Sequence, residues 1–148
     1  MAGFSNYLRN KIIDWLLRGK AFTPPTIVYV TLCSTAPTAS TGGTEISPSR
    51  IAINCSTTAW AATNGDVTTT DPSSGTTGTT SNNAIVDFGT AGSAWGTASH
   101  WELYDAASAG NRLIYGTIVD GVGTPTPRSI VNGDPVSFPI SAMRVIWA

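Results

Sequence analysis

The hydrophobic period of this chain changes once, at the proline pair Pro24 and Pro25. Upstream of the pair, apolar residues recur with the spacing of one helix face. They form a single stripe, made of Leu8, Ile12, Trp15 and Leu16. Downstream, apolar residues alternate in short runs separated by Thr, Ser and Gly, which is the pattern of strands and turns. A chain with one helix followed by many short strands is restricted to an all-β fold that carries a single helix.

The predicted helix spans residues 4–18 and has recognisable ends. Ser5 is a good N-cap residue, and Gly19 ends the helix before the proline pair prevents its continuation. The apolar stripe is expected to pack on the β part of the domain. Ile13 and Leu17 lie off this stripe, so the helix is apolar over a wider arc than one sheet face covers. Either a loop of the same chain or a neighbouring subunit then covers the second apolar side.

Residues 26–148 are predicted to form the β part of one domain that spans residues 1–148, because this length is typical of a single domain. Six or seven short runs separated by turn residues, without a second helix, predict a β-sandwich or a jelly-roll-like fold. The segment from about 63 to 83 differs, since eight of its 21 residues are Thr and only Val67 is aliphatic. We expect it to form a long Thr-rich loop that protrudes from the sandwich, or a loosely held hairpin, rather than a core strand.

Two features of the β part are clear in the sequence. The run 27–33 is apolar on both faces, which indicates a strand at the centre of a sheet. The runs 100–104 and 112–119 are separated by a turn and form the clearest hairpin. Because side chains alternate along a strand, Trp101 and Glu102 are expected on opposite faces of this hairpin.

The charge composition restricts the classes of partner. Only 11% of the residues are charged, and the formal net charge is −1. These values give no electrostatic reason to expect a nucleic acid, and the one apolar stretch is too short and too charged to cross a membrane. Neutral surface is easily desolvated against a protein neighbour, which favours an interface. The alternative is a Ser- and Thr-rich surface that stays hydrated.

Few side chains are suited to catalysis or to metal binding. His100 is the only histidine, no serine lies in a Gly-x-Ser-x-Gly turn, and the acidic residues are scattered singly. Cys33 and Cys55 lie in strand-like runs and are expected to be buried thiols, with a disulfide between them as the alternative. The sequence therefore predicts no enzyme, no catalytic residue, no metal site and no cofactor. His100 is expected at a strand surface or at an interface.

Six short motifs, spread over most of the chain, form a recognisable set. They are Ala2-Gly3-Phe4-Ser5-Asn6-Tyr7-Leu8, Phe22-Thr23-Pro24-Pro25, Ser34-Thr35-Ala36-Pro37-Thr38, Ala94-Trp95-Gly96-Thr97, Tyr104-Asp105-Ala106 and Asn132-Gly133-Asp134. Together they resemble a family of small phage virion proteins, and the resemblance fails between about 63 and 83. Members of this family are often labelled tail fibre proteins, and similar proteins serve as capsid decoration (cement) subunits.

The resemblance implies a structural virion protein of a tailed bacteriophage, and we expect a capsid decoration protein that stabilises the lattice of the major capsid protein. On this hypothesis it is made in the host bacterial cytoplasm and lies on the outer capsid surface of the virion. It binds the major capsid protein and assembles as a homotrimer. We expect no nucleic-acid partner and no membrane partner. One alternative is a tail fibre or tail-tip subunit that contacts the host surface.

A second alternative is a small carbohydrate-binding module, in which an exposed Trp60, Trp95 or Trp101 would stack on a sugar ring. The ordinary expectation for these tryptophans is that they fill the core. For contacts with other subunits, we expect the N-terminal segment, the proline pair and a later proline-containing stretch to be used. The interface residues expected from the sequence are Phe4, Tyr7, Ile13, Leu17, Pro24, Pro25, Pro125 and Arg128.

Overall fold

The fold is described from a computed structural model that covers residues 2–63, 72–76, 78–120 and 123–146. Within these ranges the chain forms one helix and eleven strands, and the strands pair antiparallel. This content of one short helix and eleven strands confirms the prediction of an all-β fold with one N-terminal helix. The elements are β1 (Ala2–Phe4), α1 (Asn6–Leu17), β2 (Ile27–Cys33), β3 (Ile51–Asn54), β4 (Thr79–Ser81), β5 (Val86–Thr90), β6 (Gly96–Ala98), β7 (His100–Tyr104), β8 (Arg112–Thr117), β9 (Arg128–Ile130), β10 (Pro135–Phe138) and β11 (Arg144–Ile146).

Five strands form the main sheet, in the order β1-β8-β7-β2-β3. The predicted central strand is confirmed, because β2 covers Ile27–Cys33 and lies between β7 and β3. The predicted hairpin is confirmed as β7–β8, with β8 ending at Thr117 rather than at residue 119. The core covers one face of β2, and the segment 34–50 covers the other. This double cover explains why the strand is apolar on both faces.

Three two-stranded ribbons, β10–β5, β11–β4 and β6–β9, accompany the main sheet. Their buried residues include Ile130 and Val145, which form one hydrophobic cluster with Val30 and Leu103 of the main sheet. All four side chains are almost completely buried. The main sheet and the ribbons therefore enclose a single core, and its apolar burial is the principal source of stability.

The ends of α1 follow the predicted capping pattern, although the helix begins at Asn6 rather than at residue 4. Phe4 belongs to a strand instead, because Ala2–Phe4 pairs with β8. The Ser5 hydroxyl accepts a hydrogen bond of 3.2 Å from a backbone amide of the first turn. Gly19 has a φ of 64° just beyond the helix, a conformation that favours glycine. The capping residues are thus predictable from the sequence, whereas the sheet pairing of the first residues is not.

The last residues of the Thr-rich segment form strand β4 and are part of the packed fold. The loop predicted to continue to residue 83 therefore ends before β4. Strand β4 pairs with β11, and Asn82 directly after it is completely buried. The side-chain amide of Asn82 makes three hydrogen bonds of 2.8 Å to backbone groups. Of the predicted loop, residues 64–71 and 77 lie outside the described residues.

Replacing Asn82 with Ala is expected to lower the free energy of unfolding by about 3 kcal/mol, because the buried amide of Met143 and the part-buried carbonyls of Ala84 and Pro139 lose their partner. The neighbouring Asn83→Ala variant is a matched control, since the side-chain bond of Asn83 to the Thr57 carbonyl is longer, at 3.3 Å, and exposed. We expect this control to lose less than about 1 kcal/mol. Urea unfolding measures both values, and equal losses would contradict the structural role of Asn82.

Candidate interaction surface

The helix α1 is attached to the rest of the fold through its first turn. The Ser5 hydroxyl donates a hydrogen bond to a carbonyl of β8, and the Asn6 amide donates to the carbonyl of Ala39 at 2.8 Å. Tyr7 and Leu8 pack against the core. None of the 12 residues of α1 is buried, however. The helix is therefore held at one end and leaves most of its surface uncovered.

The last turns of α1 expose a large apolar surface. Ile13, Trp15, Leu16 and Leu17 are 48%, 58%, 66% and 75% exposed, and we refer to these four side chains as the helix patch. Their exposed area is on the order of several hundred Å², the range in which apolar patches of soluble proteins are often binding sites. Within the described ranges, no helix is long and apolar enough to span a membrane. The helix patch is the first component of the candidate surface.

An apolar groove of about 590 Å³ lies beside α1 and forms the second component. Its lining includes Leu8, Ile12 and Trp15 of the helix, and Phe22 and Pro24 from the segment that follows the helix. Because Trp15 belongs to both the groove and the helix patch, the two features form one continuous surface. Apolar side chains of a partner can insert into the groove, and the exposed helix residues can pack against the same partner.

The charge of the N-terminal segment differs in sign from that of the remaining chain. Residues 1–20 contain four basic residues and one acidic residue, a net charge of +3. Residues 21–148 contain four basic and eight acidic residues, a net charge of −4, and the two values sum to the −1 of the whole chain. The helix patch therefore lies on a segment of net positive charge, in which Arg18 pairs with Asp14 at 3.1 Å, and a net positive charge is complementary to an acidic partner surface. The charged residues of the N-terminal segment are Arg9, Lys11, Asp14, Arg18 and Lys20.

A second group of polar side chains lies on the face of the main sheet opposite the core. The Glu102 carboxylate is completely buried and accepts hydrogen bonds from Arg112 at 2.5 Å, from Tyr104 at 3.0 Å and from the Gly43 amide at 3.1 Å. Arg112 also donates to two carbonyls of the segment 34–50. These bonds fasten that segment to the sheet, so we call Glu102 and Arg112 the loop clamp.

Two of the groups with reactive side chains, Cys33 and His100, are engaged in structural contacts. Burial, together with the Glu102 carboxylate, raises the pKa of the Cys33 thiol far above its ordinary range, so the thiol stays protonated. Burial also lowers the pKa of His100, whose Nδ1 lies 2.8 Å from the Ser99 hydroxyl. Cys55 is exposed rather than buried, and both cysteines are free, which excludes the disulfide alternative. In the part of the chain that the structure describes, no three His, Cys, Asp or Glu residues are grouped to hold a metal ion.

Comparison with protein families identifies the biological class of the chain. The family model described as podophage GP4 fiber I protein gp80 matches residues 3–146, which is almost the whole chain. The chain belongs to this family. It is therefore a structural protein of a phage virion, which confirms the resemblance to small phage virion proteins found in the sequence. None of the curated proteins matches the chain at a significant level.

In this member of the gp80 fiber family, four of the predicted interface residues lie at the surface described above. Phe4 and Pro24 line the groove. Ile13 and Leu17 belong to the helix patch. The structure therefore places one half of the predicted set on one continuous surface.

The other four predicted interface residues lie apart from that surface or face the fold. Tyr7 packs against the core, and its ring centre lies 5.6 Å from the Lys11 ammonium. Pro25 is half-buried. Pro125 and Arg128 are exposed, but Arg128 lines a different cavity, of about 180 Å³. The interface role of all eight residues stays a prediction.

Two expectations for apolar side chains have different outcomes. The expectation that Leu16 packs on the β part is wrong, because only the first turns of the helix lie against the fold. The predicted stripe is therefore divided, with Leu8 and Ile12 half-buried and Trp15 and Leu16 exposed. Trp101 is 2% exposed and fills the core, as ordinarily expected, so it offers no surface for sugar stacking.

Proposed function

We propose that this fiber-family protein is a capsid decoration subunit, which binds the major capsid protein on the outer surface of the virion. The helix patch and the adjoining groove are the proposed contact. One observation carries the proposal, namely the apolar and basic surface of a helix that the rest of the described chain leaves uncovered. A protein that only holds other subunits together requires such a surface and no reactive group.

The free energy of this attachment would come mainly from apolar burial. Covering the exposed parts of the helix patch contributes about 1–2 kcal/mol for each of its four side chains. The basic residues beside the patch add attraction to an acidic partner and set its orientation. Since salt screens only the charged contribution, we expect the attachment to persist at high ionic strength. Contacts of this kind across a junction between capsid subunits would stabilise the shell against internal pressure.

Self-association with closed symmetry, as a homotrimer, is part of this proposal. Three joined copies would present three helix patches to the capsid at once, and this multivalency strengthens attachment without any new contact. Light scattering of the purified protein measures the mass of the assembly. A monomeric mass at high protein concentration would contradict this part of the proposal.

The second candidate function is that of a tail fibre or tail-tip subunit. The description of the matching family, which names a fiber protein, favours this candidate. In a fibre, the helix patch would join the subunit to its neighbour along the fibre or to the tail. The host surface would then be contacted by a different part of the molecule.

Quantitative mass spectrometry of purified virions separates the two candidates. A decoration protein is expected at a copy number comparable with that of the major capsid protein, because every capsid junction is occupied. A fibre subunit is expected at a small fraction of that number. Electron microscopy with a gold-labelled antibody provides the position, and labelling confined to the tail would overturn the decoration proposal.

A further inference from the structure

The direction of α1 depends on a few hydrogen bonds at its start. Ser5 is 3% exposed, and its amide donates to the Leu113 carbonyl at 3.0 Å, while its hydroxyl donates to the Arg112 carbonyl. The Asn6 amide donates to the Ala39 carbonyl at 2.8 Å. No residue of α1 itself is buried. These three bonds and the packing of the first turn therefore set the angle at which the helix leaves the sheet.

Arg112 supports this attachment from two sides. Its own carbonyl accepts the hydroxyl of Ser5. Its guanidinium donates to two carbonyls of the bend 38–41, one of them at 2.6 Å, and this bend carries the Ala39 carbonyl that accepts the first amide of the helix. The guanidinium is held in turn by the completely buried carboxylate of Glu102. The start of the helix is thus connected to the loop clamp through both the backbone and the side chain of one arginine.

Open space remains between the later turns of α1 and the main sheet. The groove of about 590 Å³ is lined by Ile12 and Trp15 from the helix, and by Leu103 and Ile114 from the main sheet. Closing the helix onto the sheet would remove these apolar side chains from water, which is favourable. The open groove therefore requires a support that holds the helix at its angle. A buried ion pair is suited to this role, because it adds little net stability over apolar residues but can specify one arrangement.

We infer that Arg112 is a positioning residue, which holds α1 at a fixed angle and thereby keeps the groove open for a partner. The angle matters because the helix has 12 residues and is about 18 Å long. A tilt of about 15° displaces its last turn by roughly 5 Å, which is more than the distance at which two apolar side chains are in contact. The use of the open groove in attachment rests on the proposed function, whereas the angle of the helix is a property of the isolated protein.

The Asn6 amide provides the most selective test. Asn6→Pro removes this donor and leaves the helix itself intact, because proline is favoured at the first helical position. Ser5 before it has a φ of −63° and a ψ of 157°, the extended backbone that a following proline requires. Asn6→Ala is the matched control, since it changes the same side chain and keeps the amide.

Residual dipolar couplings of the isotope-labelled protein measure the angle between α1 and the main sheet in solution. In Asn6→Pro we expect this angle to change by about 15° or more, or the couplings of α1 to be reduced by motion. Asn6→Ala is expected to keep the couplings of the unsubstituted protein. The couplings of the strands β2 and β7 are expected to stay unchanged in both variants, which shows that the sheet is intact.

A double variant, Glu102→Leu with Arg112→Met, tests the arginine itself. It replaces the ion pair by apolar side chains, so it is expected to remain folded, with a melting temperature within about 5 °C of that of the unsubstituted protein. Its helix couplings are nevertheless expected to change as they do in Asn6→Pro. Unchanged helix couplings in the folded double variant or in Asn6→Pro would overturn the inference, and so would an equal change in Asn6→Ala.

The copy number in virions separates this inference from the proposed function. The helix patch keeps all four side chains in both altered proteins. Changed couplings together with an about tenfold lower copy number would support the inference and the proposed function alike. Changed couplings with a normal copy number would confirm that Arg112 positions the helix, and would contradict attachment through this surface.

Discussion

Replacing Glu102 with Ala is expected to lower the free energy of unfolding by about 3–5 kcal/mol, a large part of the stability of a domain of this size. The substitution leaves the Arg112 guanidinium buried without its carboxylate partner. It also removes the acceptor of the Tyr104 hydroxyl and of the Gly43 amide, so the segment 34–50 loses part of its attachment to the main sheet. Urea or thermal unfolding of the purified variant measures the loss.

Two further variants separate the loop clamp from a general effect of removing a carboxylate. Asp14→Ala removes an exposed ion pair with Arg18 and is expected to lose about 1 kcal/mol or less. Replacing Glu102 and Arg112 together with apolar residues of similar size is expected to recover much of the loss, because no unpaired buried charge remains. Similar stabilities of Glu102→Ala and Asp14→Ala would show that the loop clamp does not stabilise the fold.

Replacing Leu16 and Leu17 together with Ser is expected to leave stability almost unchanged and to remove most of the protein from the virion. Both side chains are largely exposed, so their loss changes the free energy of unfolding by less than about 1 kcal/mol. If a partner buries them, the same change weakens attachment by about 2–4 kcal/mol, which predicts at least a tenfold lower copy number per virion. Unfolding curves and mass spectrometry of the mutant phage provide the two values.

Leu8→Ser is the matched control on the same helix. Leu8 packs against the core, so this variant is expected to lose about 2 kcal/mol of stability. Leu8 also lines the groove, so the comparison of the two variants uses the free energy of unfolding, which only Leu8→Ser is expected to lower. Destabilisation of the Leu16 and Leu17 variant to the same extent as Leu8→Ser would show that the helix patch belongs to the core. Normal incorporation of the Leu16 and Leu17 variant into virions would show that attachment uses another surface.

The elements that local sequence determines were predictable. Ser5 and Gly19 act through their own backbone neighbours, and strand β2 is apolar on both faces because both faces are covered. The exposure of the helix was harder to predict. The spacing of its apolar residues shows that they lie on one face, but not which of them pack against another part of the protein. The sequence indicated a second apolar side of the helix, formed by Ile13 and Leu17. It did not indicate that Trp15 and Leu16 are exposed as well.

The polar positions of the core could not be predicted from local patterns at all. Alternation along β7 places Glu102 on the face opposite Trp101. This pattern predicts a solvent-exposed carboxylate at Glu102. Its burial depends on the segment 34–50, which is distant in sequence and folds over that face. Asn82 is similar, since its partners Pro139 and Met143 lie about 60 residues away. Both cases depend on long-range contacts that hydrophobic periodicity does not encode.

The central claim is that the helix patch contacts another virion protein, and photo-crosslinking in the assembled phage tests it most directly. A benzophenone amino acid is placed at position 16, in the helix patch, and in a second phage at position 87, which is exposed on β5. Irradiation of purified virions is predicted to join position 16 to one defined virion protein, and position 87 to none. Efficient incorporation of the position-16 variant without any cross-link from it would contradict the claim.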